Sequence, residues 1–263
     1  MTNTTDKSSM GYFLNMSATM KSGRTPLQKM TSLFEDVIDN KLIESNKKQP
    51  KRDYLGSSVL GDKCSRKIQY MFLGTEPDPG KDFDARTYRI FQFGHELEDS
   101  MAGWIRNAGF DLRTMDSNGK QYGFAIAEEK IKGHIDGVIC SGPLDVKYPM
   151  LWECKTANEK KFRDFKIKGI KANHTYEVQV ALYQAYMELT DNPCLFTVIN
   201  KNTSEIYYEL VPFNQGLAQY ASDKAVDILK AVEQNVMLPR IAFNKDMYEC
   251  RFCQFTETCW GAS

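Results

Sequence analysis

The sequence has no apolar run that approaches the roughly 18 residues of a membrane-spanning helix. Residues 1–23 also lack the compact apolar stretch of a secretory signal. We therefore expect a cytoplasmic protein with no membrane partner. The chain also lacks a phosphate loop of the G-x-x-x-x-G-K-[ST] type, which argues against an ATP-driven motor of its own.

Neither sign of charge is in excess, because Lys and Arg number 34 and Asp and Glu also number 34. A protein that grips duplex DNA through a broad basic surface usually carries an excess of positive charge. Any nucleic-acid site in this chain must therefore be local, with acidic residues placed elsewhere or used to bind metal.

The seven cysteines are an odd number, so a disulfide framework is not expected in a reducing compartment. Three of them lie in apolar, strand-like surroundings that predict burial; these are Cys140, Cys154 and Cys194. The other four lie in polar, closely spaced contexts; these are Cys64, Cys250, Cys253 and Cys259. Four thiolates suit either zinc or a [4Fe–4S] cluster, and the spacing alone leaves both open.

The apolar periodicity predicts an α/β fold in which helices flank a mixed central sheet. The predicted helices cover residues 27–42, 57–73, 84–107, 158–167, 175–189 and 215–235. The predicted strands cover residues 122–128, 131–140, 150–155, 194–200 and 205–212. We assign residues 1–52 to a polar N-terminal extension, whose segment 44–52 is a solvated charged linker. Residues 53–263 are assigned to a single domain.

The chemistry is concentrated in Asp136 and, on a later strand, in Glu153 and Lys155. Because side chains alternate along a strand, Glu153 and Lys155 share one face, and Trp152 and Cys154 share the other. Two carboxylates from neighbouring strands form an acidic cup that suits Mg²⁺ or Mn²⁺, and the lysine offsets charge on a phosphate. The structural alternative is a salt bridge at a strand edge beside a turn aspartate.

The order of four short motifs resembles the RecB-type nuclease motif of the PD-(D/E)XK superfamily. The motifs are Gly94-His95, Gly133-x-x-Asp136, Glu153-x-Lys155 and Gln179-x-x-x-Tyr183. The single upstream cysteine and the C-terminal triplet are similar to those of the superfamily's iron–sulfur members. These members are the CRISPR-associated iron–sulfur exonuclease of the Cas-four type, the AddB nuclease domain and related phage recombination nucleases. The resemblance extends from about Gly56 to Gly261.

The resemblance implies a role for each matching residue. The implied metal ligands are His95, Asp136, Glu153 and the backbone carbonyl of Cys154, with Glu98 as a further candidate one helical turn after His95. Lys155 is the implied catalytic lysine, and Gln179 and Tyr183 contact DNA or orient the site. The four polar cysteines are the implied ligands of a [4Fe–4S] cluster that joins the N- and C-terminal parts, with zinc as the alternative.

The implied function is metal-dependent hydrolysis of DNA at ends or in single strands by an exonuclease. Basic residues near the motifs are candidates for DNA contact, although a solvated helix face explains them equally well; these are Arg66, Lys160, Lys161 and Arg163. The implied partner of such an enzyme is a helicase, a recombinase or a CRISPR integration protein. The implied pathway is recombination, repair, replication or CRISPR adaptation, in a phage or a prokaryote. The alternative is a non-catalytic or zinc-stabilised DNA-binding subunit of a larger complex. His134 and His174 are expected to play no catalytic part.

Overall fold

The computed structural model describes residues 25–50 and 52–261 and contains two β-sheets. The strands are β1 (Leu55–Gly56), β2 (Leu112–Arg113), β3 (Gly123–Ile126), β4 (Ile131–His134), β5 (Gly137–Ile139), β6 (Met150–Ala157), β7 (Cys194–Asn200) and β8 (Ile206–Val211). The larger sheet has the order β2-β5-β6-β7-β8, and the smaller has the order β1-β4-β3. Both sheets are mixed, because β6 pairs parallel with β7 and β1 pairs parallel with β4, whereas the other pairs are antiparallel.

Helices flank these sheets, which confirms the predicted mixed α/β class. In chain order, the helices of the described residues are α1 (Pro26–Lys47), α2 (Ser65–Phe72), α3 (Ala85–Asn107), α4 (Glu159–Lys168), α5 (His174–Tyr186), α6 (Gln215–Glu233), α7 (Tyr248–Arg251) and α8 (Thr256–Gly261). Two short 3₁₀ turns cover Ser57–Val59 and Gly169–Ala172. Among the described residues, no helix is both long enough and apolar enough to cross a membrane.

Strand β6 is buried on both faces and carries most of the core. On one face, Leu151 belongs to a cluster with Phe162 of α4 and Val180 of α5. On the other face, Trp152 belongs to a cluster with Met101 and Ile105 of α3. Burial of such side chains stabilises the fold by about 1.5–3 kcal/mol each. The residues that follow on β6 are therefore held in place by packing on both sides.

Residues 25–49 and 83–90 group into one compact unit, and residues 50–82 and 91–261 into a second. In the first unit, Thr25 and Gln28 form a capping box at the start of α1, and Arg89 pairs with Asp39. The predicted solvated linker is wrong at its beginning, because residues 44–47 continue α1. There Glu44 pairs with Lys41 at 3.1 Å and with Lys48 at 2.8 Å.

Two elements that were each predicted as continuous are divided in the structure. The single helix predicted for residues 57–73 is a 3₁₀ turn followed by α2, and Gly61 lies between them. A β-carbon at Gly61 would come within 2.5 Å of the Thr175 backbone, so the chain passes too close to α5 to continue as a helix. The strand predicted for residues 131–140 is interrupted at Ile135 and Asp136, which separate β4 from β5.

Candidate active site

The break between β4 and β5 places Asp136 beside β6. Strand β5 begins at Gly137, which pairs with Trp152, so β6 continues past the end of its neighbour. Asp136 Oδ2 accepts a hydrogen bond of 2.7 Å from the backbone N–H of Cys154, in the stretch of β6 that pairs with β7 but not with β5. In a strand the N–H and C=O of one residue point to the same side, so the Cys154 carbonyl also points toward Asp136.

Glu153 and Lys155 lie on the same face of β6, as the alternation predicted. The Lys155 ammonium donates a hydrogen bond to Glu153 Oε1. Glu153 is fully buried, and its second oxygen, Oε2, has no hydrogen-bond partner. A buried carboxylate oxygen without a partner is costly, so this oxygen is available to a further cation or donor.

Asp136 and Lys155 line a cleft of about 480 Å³, and Glu153 is buried behind its lining. Besides Asp136 and Lys155, its lining includes predicted residues from two helices: His95 and Glu98 of α3, and Gln179 and Tyr183 of α5. Gln179 Nε2 donates a hydrogen bond of 2.9 Å to the Tyr183 hydroxyl, as expected for residues one turn apart.

Gly133 has a packing role beside this cleft. A β-carbon at this position would lie 2.5 Å from the Phe124 ring and 2.8 Å from the Tyr183 ring. Any larger residue would therefore displace Tyr183 from the cleft wall. This close approach is the physical reason for glycine in the Gly133-x-x-Asp136 motif.

The two candidates on α3 differ in their environment. The His95 side chain is 82% exposed, the Glu98 side chain is 27% exposed, and His95 Nδ1 lies 3.8 Å from Glu98 Oε2. Burial, together with the negative charge of Asp136, raises the pKa of Glu98 to about 7. The charge of Asp136 therefore acts on the Glu98 carboxyl, whereas the His95 side chain is largely exposed to solvent.

The cup places three carboxyl groups, Asp136, Glu153 and Glu98, beside a single ammonium, and this crowding disfavours their charged forms. Burial and then the charge of Asp136 raise the pKa of Glu153 to about 8, and burial raises the pKa of Asp136. Burial alone would lower the pKa of Lys155, but Glu153 and Asp136 raise it overall. An additional cation would relieve the repulsion among Asp136, Glu153 and Glu98.

Within residues 25–50 and 52–261, no three His, Cys, Asp or Glu side chains are already arranged to hold a metal ion. The donors nevertheless suit Mg²⁺ or Mn²⁺ in kind, since they are hard carboxylate and carbonyl oxygens at one strand end. The unpartnered Glu153 Oε2 is one such donor. Lys155 donates a hydrogen bond to the other oxygen of Glu153, Oε1, and leaves Oε2 without a partner.

The four polar cysteines line a second, much smaller pocket of about 20 Å³. Three of the sulfurs accept N–H hydrogen bonds: Cys64 from Lys67 at 3.4 Å, Cys253 from Phe255 at 3.5 Å, and Cys259 from Arg66 at 3.7 Å. Burial raises the pKa of Cys64 and of Cys253. The remaining cysteines lie elsewhere: Cys154 and Cys194 are buried as predicted, whereas Cys140 is only half-buried.

The N-terminal and C-terminal parts are also joined directly by protein contacts, so a cluster is not needed to bring them together. Asp78 binds the tail, with its carboxylate accepting from the Glu257 N–H at 2.6 Å and from the Thr258 N–H at 3.0 Å. The side chain of Gln69 donates to the Val236 carbonyl at 2.7 Å and accepts from the Leu238 N–H at 2.9 Å.

The four basic residues predicted to contact DNA lie outside the cleft lining. Arg66 lies in the cysteine pocket, where its guanidinium donates to the Leu238 carbonyl as well as to Cys259. Lys160, Lys161 and Arg163 are on the exposed side of α4, where Arg163 pairs with Glu159 at 2.7 Å.

Sequence reasoning missed the basic and aromatic side of the cleft, which consists of Arg52, Tyr54, Lys132 and His134. Lys132 and His134 alternate with buried residues along β4, and this alternation in the sequence could have placed both side chains on one face of the strand. Arg52 and Tyr54 precede a strand of only two residues, which had no periodicity to detect. Burial and the charges of Arg52, Lys120 and Lys132 lower the pKa of His134, so the potential on this side is positive.

No family model and no curated protein sequence matches this chain. Among solved structures, the chain is similar to SSO0001, with 17% identity and a TM-score of 0.45 over 87% of this chain and 97% of that one. It is also similar to the alkaline exonuclease LHK-Exo from Laribacter hongkongensis, with 14% identity and a TM-score of 0.47 over 70% of this chain and 90% of that one. The complex of LHK-Exo with dAMP gives the same identity and score. At these values the similarity assigns no family, so the function has to be inferred from the chain's own side chains.

Proposed function

We propose that this chain is a metal-dependent deoxyribonuclease that hydrolyses phosphodiester bonds at DNA ends or in single strands. The observation that carries the proposal is the buried Glu153–Lys155 pair with Asp136 bound to the same stretch of β6. A merely structural salt bridge would not require a third carboxylate, an unpartnered buried oxygen and an open cleft at the same place. Together these features suit a site that binds a phosphate through a cation.

Asp136, Glu153 and the Cys154 carbonyl are the proposed ligands of Mg²⁺ or Mn²⁺, together with His95 or Glu98 from α3. A divalent cation bound there would supply positive charge to the reacting phosphate and lower the pKa of the attacking water. The grouping of three carboxyls supports this assignment, because a bound cation would stabilise their charged forms, which burial and mutual repulsion disfavour.

Lys155 is proposed to bind the phosphate rather than to act as a base. Its ammonium lies beside Glu153 and Asp136, which favour the charged form. It can therefore donate hydrogen bonds and positive charge to a non-bridging oxygen as negative charge develops there. Gln179 and Tyr183 line the wall next to it and are proposed to orient the strand through their linked amide and hydroxyl.

We also propose that Cys64, Cys250, Cys253 and Cys259 ligate a [4Fe–4S] cluster, with zinc as the alternative. The N–H hydrogen bonds to three of the sulfurs support ligation, since such donors stabilise thiolates and cluster sulfurs. The pocket of about 20 Å³ is small, so the thiols must move outward to admit a cluster, and a single zinc ion would demand less movement. Iron and zinc analysis with a visible absorption spectrum separates the two.

The test of the function is digestion of end-labelled single-stranded and duplex DNA with Mg²⁺, Mn²⁺ or EDTA. We expect hydrolysis with either metal and none in EDTA. Binding without hydrolysis under every metal condition would overturn the proposal in favour of a non-catalytic DNA-binding subunit. A helicase, recombinase or CRISPR integration protein as partner remains a proposal, to be tested by co-purification with the candidate.

A further inference from the structure

The cleft that Asp136 lines also contains an aromatic ring in a fixed position. Tyr54 directly precedes β1, and the Leu55 N–H donates a hydrogen bond of 2.8 Å to the Lys130 carbonyl. The parallel pairing of Gly56 with Lys132 then sets Tyr54 beside β4. The ring is half-buried and lines the same cleft as Asp136 and Lys155.

Cations lie around this ring. The Arg52 guanidinium is 5.9 Å and the Lys132 ammonium is 5.2 Å from the ring centroid of Tyr54, and the His134 ring centroid is 6.4 Å away. Lys132 also bonds Glu129 at 2.9 Å, but the Glu129 side chain is 76% exposed. Such a solvated pair is worth little, so Lys132 can exchange Glu129 for a phosphate at small cost.

We propose that Tyr54 is the stacking platform for an unpaired base next to the scissile phosphate, and that Arg52 and Lys132 bind the phosphates that flank it. This inference rests on the proposed nuclease function and narrows its substrate to single strands and frayed ends. An aromatic ring with nearby cations is the combination that binds single-stranded nucleic acid without sequence preference. Arg52 and Lys132 lie over the ring, so they would move to the flanking phosphates as a base stacks on it.

The size of the cleft supports a single strand. A volume of about 480 Å³ is in the range of small-ligand sites, about 300–1,000 Å³, rather than that of a groove that holds a duplex. Tyr54 can stack only on a base that has left the helix. The cleft thus brings together two separate functions: the ring and its cations position the strand, and the cup with Lys155 acts on the phosphate.

The first experiment measures binding of a fluorescent single-stranded oligonucleotide in EDTA, where no hydrolysis is expected. Tyr54→Leu should weaken binding by about 5-fold to 100-fold, the range for loss of one stacked base, whereas Tyr54→Phe keeps the ring and should bind like wild type. Tyr220→Leu, on the exposed surface of α6, is the matched control and should have no effect. Binding of a blunt duplex should change less than about 2-fold in Tyr54→Leu. Unchanged single-strand binding, or an equal loss for duplex, would overturn the inference.

The second experiment needs no variant, so it remains decisive if Tyr54→Leu fails to fold. A single abasic residue is moved along an end-labelled strand, and cleavage by the wild-type protein is measured at each position. Cleavage should fall sharply when one particular base near the scissile phosphate is missing, and a uniform profile would contradict stacking. If the protein cleaves no DNA, the nuclease proposal fails. The same set of abasic strands is then used to measure binding in EDTA instead of cleavage. A loss at one position would then still support the Tyr54 platform.

Discussion

The cleft and the cysteine pocket gather residues from distant parts of the chain in different ways. In the cleft, Asp136 and Glu153 are fixed by the central strands of the larger sheet, with packing on both sides of β6. In the pocket, the C-terminal cysteines lie on or next to two short helices, α7 of 4 residues and α8 of 6 residues. These short helices are held by side-chain hydrogen bonds, especially those of Asp78, together with the buried ring of Phe255.

The comparison indicates how each region should respond to change. The backbone around the cleft is held by apolar packing and does not depend on the charged groups. Loss of one charge should therefore abolish hydrolysis without unfolding the protein. The positions of the C-terminal helices at the pocket depend on a few hydrogen bonds. Loss of one of these hydrogen bonds should therefore release the C-terminal tail. Activity is therefore the sensitive measurement for the first region, and stability is the sensitive measurement for the second.

The largest expected effect is on activity. Asp136→Asn should lower DNA hydrolysis by at least about 10²-fold, because it removes a charge that the reaction requires while an amide oxygen can still accept from Cys154. The thermal midpoint should stay close to that of the wild type. Asp99→Asn is the matched control, since Asp99 lines the same cleft and forms no hydrogen bond to β6 within the part of the chain that the structure describes. Activity of Asp136→Asn within about threefold of wild type would refute the assignment of the cup.

The next effect concerns bound metal in the pocket. Cys64→Ser should lose the iron of anaerobically purified protein and its visible absorption, because one of four ligands is replaced by a poorer one. Cys140→Ser, at a half-buried cysteine outside the pocket, should retain both. Metal analysis and absorption spectra provide the measurement. Equal metal content in the two variants would show that the four cysteines were chosen wrongly.

A smaller effect is expected on the attachment of the tail. Asp78→Ala should lower the free energy of unfolding by about 2 kcal/mol, since a helix cap is lost and the N–H groups of Glu257 and Thr258 lose their acceptor. In a chain of this size that shift corresponds to roughly 4–8 °C in the thermal midpoint. Limited proteolysis should cut the tail sooner than in the control Asp223→Ala. If only loss of the cysteine ligands releases the tail, the direct contacts are not what holds it.

The contribution of Asp78 should also depend on pH. Burial alone would raise the pKa of Asp78, but hydrogen bonds from Thr258 and Glu257 lower it overall. A carboxyl whose folded pKa lies below its unfolded value near ~3.9 stabilises the fold above that value, and the stabilisation is lost as pH falls through the folded pKa. The difference in stability between wild type and Asp78→Asn should therefore shrink below about pH 4. A difference that persists in acid would mean that the charge of Asp78 is not involved.

The smallest expected effect separates the two candidates on α3. Glu98→Gln should raise the Mn²⁺ concentration for half-maximal hydrolysis by about 10-fold, and His95→Ala by less. Glu98 is the more buried side chain and is coupled to Asp136, whereas His95 is largely exposed. Mn²⁺ titrations of both variants provide the comparison. The reverse order would assign the ligand to His95.

The sequence predicted the parts of the site that depend on local periodicity. Alternation along β6 placed Glu153 and Lys155 on one face, and the spacing of Gln179 and Tyr183 placed them one helical turn apart. The clustering of three cysteines near the C-terminus was equally readable. These are short-range relations, which the backbone geometry of strands and helices dictates.

What the sequence could not predict depends on contacts between distant segments. Nothing in the apolar pattern of residues 131–140 marks the point where the chain leaves one sheet for the other, yet that break places Asp136. The contacts of Arg66 with Leu238 and Cys259 also join segments that lie far apart in the sequence. Tyr54 enters the cleft only because a strand of two residues pairs with β4. Contacts between distant segments determine such positions, and the local periodicity of the sequence does not predict those contacts.

The most direct test of the central claim is a Mn²⁺ titration of hydrolysis with end-labelled single-stranded DNA and wild-type protein. We predict no hydrolysis in EDTA, a saturable rise with Mn²⁺, and almost no rise when Asp136→Asn replaces the wild-type protein. Hydrolysis that persists in EDTA, or that rises equally in Asp136→Asn, would contradict a catalytic metal site built on Asp136 and Glu153.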